Sequence, residues 1–323
     1  GDGTTTSSSY PVSVNLPTGR TATQISLGSY QSCALLDNSS IVCWGGNWVG
    51  QLGDGGTSDS SVPVYVDLPT GYTATAVTAG DSNTCAVLDN GSAYCWGSNG
   101  YGRLGDGTTT DYSTTPVNVL IPTGRTVIEL SAGWYHVCAS LDDSSVYCWG
   151  LNEFGQLGDG NATGTESGSS TPVQVSIPTG RTPLHISTGG YRTCAILDDN
   201  LAYCWGHNIR GQLGDGNACT NWCTTTGDSS IPTLVDLPVG LEALEIASGP
   251  WHTCAILDDN LAYCWGWNIH GQLGDGTSNG HYDAVSTPQI VTGQSPAQTS
   301  QTACAAGTYQ DSTGQTSCDD ADA

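Results

Sequence analysis

Cys204-Trp205-Gly206-His207-Asn208-Ile209-Arg210-Gly211-Gln212-Leu213-Gly214-Asp215-Gly216 returns sixty residues later as Cys264 to Gly276, with close copies at Cys43 to Gly55, Cys95 to Gly107 and Cys148 to Gly160. Ten positions before each copy, with nine residues between, stands another cysteine: Cys33, Cys85, Cys138, Cys194 and Cys254, at steps of 52, 53, 56 and 60 residues. The chain is therefore an internal repeat. One unit runs through the alternating segment Ala22 to Gly28, then Cys33-Ala34-Leu35-Leu36-Asp37, a turn, Ile41-Val42-Cys43-Trp44-Gly45, a Gly-rich loop, and Pro63-Val64-Tyr65-Val66. Period-two alternation, β-branched residues and Gly or Asp punctuation read as four short strands per unit, and no window has helical periodicity with caps. Repeating four-strand units of about 50 residues are the signature of an all-β fold, a β-propeller of four-stranded blades. The spacing predicts five complete blades and a surplus amino-terminal strand at Pro11 to Val14, filling residues 1–292.

The motif Cys-Trp-Gly-x-Asn-x-x-Gly-Gln-Leu-Gly-Asp-Gly resembles the regulator of chromosome condensation repeat family, over roughly residues 1 to 292. Arg103 departs from it where the other copies carry Gln, as does Gly46-Asn47-Trp48-Val49-Gly50 in the first copy. The resemblance implies a propeller, typically of seven blades against five complete units here, with a loop face that binds partners. Nucleotide exchange on a small GTPase, the founding relative's activity, needs an intracellular partner, and the cysteines argue against one. Light sensing of the kind found in the family's plant ultraviolet receptor is also disfavoured, because most Trp residues are explained by one repeated core position. After a Ser, Thr, Gln and Ala linker at 293–303, Cys304 to Cys318 and on to Ala323 resembles the start of a Cys-rich module of the ephrin-receptor and tumour necrosis factor receptor types.

Cysteine count sets the expected compartment. Fourteen is even, and Cys33 with Cys43, Cys85 with Cys95, Cys138 with Cys148, Cys194 with Cys204 and Cys254 with Cys264 stand where two strands joined by a short turn bring Cβ atoms together. Cys219 with Cys223 and Cys304 with Cys318 complete seven predicted disulfides. Zinc would ask for two close knuckles, and only Cys219 and Cys223 come near that spacing. Seven bridges do not persist in a reducing compartment, so an extracellular or cell-surface location is expected.

The 323 residues carry 30 acids and six bases, all Arg, for a net charge of −24. A nucleic-acid partner is excluded, because counterion release needs a basic surface. The longest apolar runs fall far short of the roughly 20 residues of a membrane span. No His-Glu-x-x-His, phosphate-binding loop, dinucleotide fingerprint or Gly-x-Ser-x-Gly elbow occurs, so no enzyme is expected. Nor is a cofactor implied, although the Asp of each Gly-Asp-Gly, read as a turn former, is also a residue type that calcium takes.

Function is expected on the loops. Gln31, Asn83, His136, Arg192 and His252 hold one repeat position, and Tyr30, Tyr135, Tyr191 and Trp251 precede four of them, with Trp134 adjacent. Large amphipathic rings on loops are what interfaces use as anchors, so these ten residues are the expected partner-binding face. Asn38, Asn90 and Asn161 begin Asn-x-Ser/Thr sequences and are candidate glycosylation sites. The first functional expectation is a glycosylated structural or adhesive module of a cell-surface or filamentous assembly, joined to other copies of itself by the surplus strand or to extracellular proteins and glycans. The second is a secreted protein-binding or inhibitor propeller that grips its partner with the aromatic ring.

Overall fold

A computed structural model describes residues 1–162, 164, 167–217, 227–278 and 284–294, with the backbone of 308–309 and 319–320. Blade 1 is β1 (Ala22–Leu27), β2 (Gln31–Leu36), β3 (Ile41–Gly45) and β4 (Ser60–Tyr65). Blade 2 is β5 (Ala74–Ala79), β6 (Asn83–Leu88), β7 (Ala93–Ser98) and β8 (Tyr112–Asn118), and blade 3 is β9 (Val127–Ala132), β10 (His136–Leu141), β11 (Val146–Leu151) and β12 (Gly168–Gln174). Blade 4 is β13 (Pro183–Thr188), β14 (Arg192–Leu197), β15 (Ala202–Gly206) and β16 (Ser229–Leu234), and blade 5 is β17 (Ala243–Ser248), β18 (His252–Leu257), β19 (Ala262–Trp267) and β20 (Ala284–Ile290). Every blade is antiparallel and ordered as in the chain. The fold is the expected β-propeller of four-stranded blades.

Register explains the repeated cysteines. Cys33 faces Cys43 directly across the hairpin with Cα atoms 4.1 Å apart, and the other four hairpins pair their cysteines in the same way at 4.0–4.1 Å. All five are disulfides. Cys219 with Cys223, and Cys304 with Cys318, lie outside the described residues. Within the carboxyl-terminal segment, a two-stranded antiparallel pair, Thr308–Tyr309 with Asp319–Asp320, is described by its backbone.

Trp follows Cys on the same strand and so points to the other face. Trp96, Trp149, Trp205 and Trp265 are fully buried between blades, each donating its indole N–H to a main-chain oxygen of the preceding blade's loop, at 3.0–3.1 Å. The Leu-Gly-Asp-Gly stretch is shaped to receive them. A Cβ on Gly53, Gly105, Gly158 or Gly214 would stand 2.5–2.7 Å from the next blade's indole nitrogen, at φ between 69° and 72°. Asn of the motif locks the same loop: Asn208 accepts from Leu213 N and donates to Asp215 Oδ1 at 3.1 Å, as Asn47, Asn152 and Asn268 do in their loops. The repeated Asp is thereby tied into its turn by protein donors.

The joint between blades is also a repeat. Side chains of one innermost strand satisfy the free edge of the next: Gln24 bonds Val77 N and O, Ser26 accepts from Ala79 N, Glu129 from Ile186 N, Ser131 from Thr188 N, and Ser187 from Ser248 N. The five innermost strands surround a cavity of about 240 Å³ lined by residues of all five blades, from Leu27 to Pro250. No comparable joint links blade 5 to blade 1 among the described residues. Ile25 and Leu27 of blade 1 are 67 % and 68 % exposed, whereas their equivalents Val77 and Ala79 are buried against blade 1. On the outer side of blade 5, Ile256 is exposed where Val87 and Ile196 are buried.

Pro11–Val14, expected as a surplus strand, joins no sheet among the described residues. A strand needs a ladder partner, and none is there for it. Its segment is instead held by blade 1. Gly1 stands against the Trp44 indole, as Gly53 does against Trp96, and Gly3 N donates to Ser61 O at 3.0 Å, as Gly55 N does to Thr114 O. Leu16 and Trp44 then cover Ala34, Leu36 and Val42. At the other end Gln294 Oε1 accepts from Ala262 N and its Nε2 donates to Ala262 O, continuing the edge of β19 into the expected linker.

Candidate partner-binding face

In every blade the connection from the first to the second strand is a tight turn closed by a glycine N–H: Gly28 to Gln31 O, Gly80 to Asn83 O, Gly133 to His136 O, Gly189 to Arg192 O and Gly249 to His252 O, at 2.8–2.9 Å. In blades 1, 3, 4 and 5 the turn leaves its next-to-last residue, Tyr30, Tyr135, Tyr191 or Trp251, at least partly exposed, whereas Ser82 of blade 2 is buried; the following residue is sent inward. The ten residues expected to form one face are therefore split. Gln31, Asn83, His136 and Arg192 are buried and are not available to a partner. Gln31, His136 and Arg192 clamp blade to blade instead. Gln31 donates to Gly80 O and Asn83 O, and His136 Nε2 bonds Thr193 Oγ1 at 2.8 Å. Arg192 donates to Thr253 Oγ1 at 2.8 Å, to Pro250 O, and to His252 O. His252 is half-buried.

The aromatic half comes together. Trp134 packs edge-on against Tyr135, Tyr191 and Trp251 with centroids 6.1–6.2 Å apart, and Tyr191 stacks at 5.2 Å on Tyr135 and 5.6 Å from Trp251. The network extends to residues not foreseen: Tyr101 beside Tyr135, Phe154 against Tyr191 and His207, and Trp267 between Trp251 and His270. Those residues occupy the variable letters of Cys-Trp-Gly-x-Asn-x-x-Gly, which is the signal by which they could have been found. Tyr30 stands apart from this group in blade 1, with Trp48 4.8 Å away, both exposed.

Arg103, the departure from Gln, builds this surface. Its Nη1 donates to Trp134 O at 2.7 Å, its Nε to Gly100 O, and its guanidinium lies 4.9 Å above the Tyr135 ring. The Gln side chains elsewhere hydrogen-bond only within their own loop, as when Gln156 Oε1 accepts from Phe154 N. Burial lowers the Arg103 pKa.

Beneath the aromatic layer the histidines are neutral. Burial, with Arg103 and Arg192 nearby, pushes the His136 pKa down to about 3. Burial likewise lowers His207 to about 4 and lowers His252, and it brings Arg192 down to about 9. Thr193 gives its single proton to Gln156 O at 2.9 Å, so it accepts from His136, which fixes the imidazole proton on Nε2. Imidazole and hydroxyl touch here as in a nucleophile pair, but both are buried and the hydroxyl is committed to a carbonyl, so the contact is structural. No group of three or more His, Cys, Asp or Glu side chains capable of holding a metal occurs among the described residues.

Asn38 and Asn90 are exposed in hairpin turns, where their Oδ1 atoms accept from Ser40 and Ser92. Asn161, also exposed, donates to Asp159 Oδ2. No helix among the described residues is long and apolar enough to cross a membrane.

Four-stranded blades with an aromatic surface built on the turns of one end define a binding propeller. The RCC1-like domain model matches residues 1–311, and the chain belongs to that family. It is 32 % identical over 255 residues to the ultraviolet-B receptor UVR8 of Arabidopsis thaliana, covering 79 % of this chain and 55 % of the receptor. It is 28 % identical over 282 residues to the E3 ubiquitin-protein ligase HERC2 of Homo sapiens, covering 86 % of this chain and 5 % of the ligase. The chain thus spans little more than half of the first relative and a small part of the second. Among solved structures, human WBSCR16 superposes with a TM-score of 0.73 at 22 % identity, covering 87 % of this chain and 70 % of that one. Prp20p of Saccharomyces cerevisiae, whose structure is described together with its binding to Gsp1p and histones, gives 0.73 at 20 %, covering 84 % and 64 %.

Proposed function

We propose that this chain is an extracellular, disulfide-stapled propeller that binds a protein partner through the aromatic surface centred on Trp134, Tyr191 and Trp251, and that carries out no catalysis itself. The observation that carries the reading is the unbroken ring network from Tyr101 to His270, supplied by four blades and braced from below by Arg103. Half-exposed Trp and Tyr clusters are the side chains that dominate binding energy at interfaces. The RCC1-like fold and the protein partners of Prp20p support a protein-interaction role, and five hairpin disulfides support an oxidising location. Glycans on Asn38 and Asn90 would sit on the opposite end of the blades, clear of the surface. The test is affinity capture from the extracellular fraction of the source, comparing the wild type with Trp134→Ala/Trp251→Ala. A partner retained by the wild type and lost by the variant supports the reading; identical capture by both contradicts it.

The exposed end faces favour a second reading, in which copies join into an assembly through blade 1 and blade 5. Ile25 and Leu27 on one end and Ile256 on the other occupy positions that make joints everywhere else in the molecule. Sedimentation over a range of concentration decides it: a mass that rises with concentration, and falls back in Leu27→Asp, is its expected result.

A further inference from the structure

The repeat allows equivalent positions to be compared on the end of the blades opposite the aromatic surface, and one junction departs at four of them. The turn leading from an outer strand to the next innermost strand reads Leu16-Pro17-Thr18-Gly19-Arg20, then Leu68 to Tyr72, Ile121 to Arg125 and Ile177 to Arg181, always with Thr third. Between blades 4 and 5 it reads Leu237-Pro238-Val239-Gly240-Leu241. In addition, Leu201 stands where the first three blades carry Ser40, Ser92 and Ser145, and Leu234 where they carry Tyr65, Asn118 and Gln174; blade 5 has Leu261 and Ile290 at these positions but no following blade junction among the described residues. These four aliphatic residues do not lie scattered. Leu201, Leu234, Val239 and Leu241 line one cavity of about 400 Å³, together with Asp215 and Asp236. Val239 is fully exposed and Leu234 half-exposed.

Loss of the arginine also changes the charge. Arg20 pairs with Asp37 at 3.7 Å, Arg125 with Asp143 at 2.9 Å, and Arg181 with Asp199 at 3.2 Å, each neutralising the hairpin turn beside it. Leu241 leaves Asp258 and Asp259, in the corresponding hairpin, with no ion pair among the described residues. Glu242 adds a carboxylate where the other junctions carry Thr21, Thr73, Thr126 and Thr182. An aliphatic cleft has thus been made at a junction whose neighbouring hairpin acids have no ion pair among the described residues; Asp89, beside Tyr72 at the junction of blades 1 and 2, has none either, but no aliphatic cleft adjoins it.

We propose that this cavity is a second binding site, for a peptide segment that places an aliphatic side chain in the cleft and an Arg or Lys over the carboxylates. Apolar contact would give affinity, and the acids would select and orient a cationic neighbour. A second copy of this chain is a poor occupant, because it has no lysine and a net charge of −24. The proposal is independent of the aromatic surface and stands or falls without it.

The test is a fluorescence-anisotropy titration with a labelled Gly-Leu-Arg-Gly-Leu-Arg peptide, beside versions with Leu changed to Ala or Arg changed to Gln. The protein variant is Leu201→Ser/Val239→Thr/Leu241→Arg, which restores side chains that other blades carry and so keeps the fold. The expected result is saturable binding by the wild type and by Trp134→Ala, weakened about tenfold or more by either peptide change and by the triple variant. No binding to the wild type at millimolar peptide, equal binding by the triple variant, or full retention of the Ala peptide would each overturn it.

Discussion

The indole nitrogen of Trp205 donates to the main-chain oxygen of Gln156, 49 residues earlier and one blade back, at 3.0 Å. Gly158 closes over the same indole, near enough that a Cβ would stand 2.5 Å from its nitrogen. Each blade is thus keyed into the loop before it by a large apolar ring with one satisfied polar atom, and the loop can close only because its glycine has no side chain. Trp205→Ala should cost about 3–5 kcal/mol, the usual range for emptying a buried aromatic site. Gly158→Ala should also destabilise, through both contact and backbone conformation. Urea unfolding monitored by circular dichroism gives both values, and a change under about 1 kcal/mol in either would contradict the keying.

The disulfides should differ in accessibility. Cysteines in blades 1 to 4 are fully buried because a following blade covers them, whereas Cys254 in blade 5 has no such cover and is half-buried. Under native conditions with mild reductant, alkylation mapped by mass spectrometry should modify Cys254 and Cys264 before any other hairpin pair. Removing one such bridge, for example by Cys194→Ala/Cys204→Ala, should cost about 2–3 kcal/mol on the chain-entropy account of a small closed loop.

Acid should weaken the fold before its carboxylates titrate. His136 and His207 have pKa values of about 3 and about 4 in the folded protein, against 6.5 when exposed. The unfolded chain therefore binds protons that the folded chain refuses. Stability is fully present above pH 6.5 and declines as pH falls toward 4, by up to about 1.4 kcal/mol per pH unit for each histidine. His136→Gln, the residue blade 1 uses at this position, should flatten the slope of unfolding midpoint against pH between 6.5 and 4.5. An unchanged slope would show that His136 titrates normally.

Arg103→Gln tests whether the departure from the repeat positions the aromatic turn. Four blades fold with Gln there, so global stability should change little. The turn from Gly133 to His136, deprived of the bond from Arg103 to Trp134 O, should exchange its amide hydrogens faster. Equal exchange rates in the two proteins would remove Arg103 from the account.

The blades were legible because two signals coincide in each unit: period-two patterning that places strands, and Cys pairs whose spacing fixes the hairpin register. The face was only half legible. Tyr135 and His136 are neighbours on the sequence, and both looked like loop residues, but strand entry begins between them and sends the second inward to Thr193. Burial of a polar side chain against the next blade depends on a contact 57 residues away, which local pattern does not reveal. Phe154, His207 and Trp267 were missed because a repeat draws attention to the letters that recur, while a binding surface is written in those that vary. The amino-terminal segment misled in the opposite direction: Pro11–Val14 has strand composition, but a strand exists only with a partner to pair with.

The measurement that bears most directly on the central claim is the equilibrium affinity of the captured partner for the wild type and for Trp251→Ala, with Leu241→Arg as a control on the opposite end of the blades. Trp251 touches Trp134, Tyr191, His207 and Trp267, so with Tyr191 it sits at the centre of the surface. The account predicts a loss of about thirtyfold or more for Trp251→Ala, as for a hot-spot residue, with the control unchanged. Equal affinity for the wild type and Trp251→Ala would contradict it.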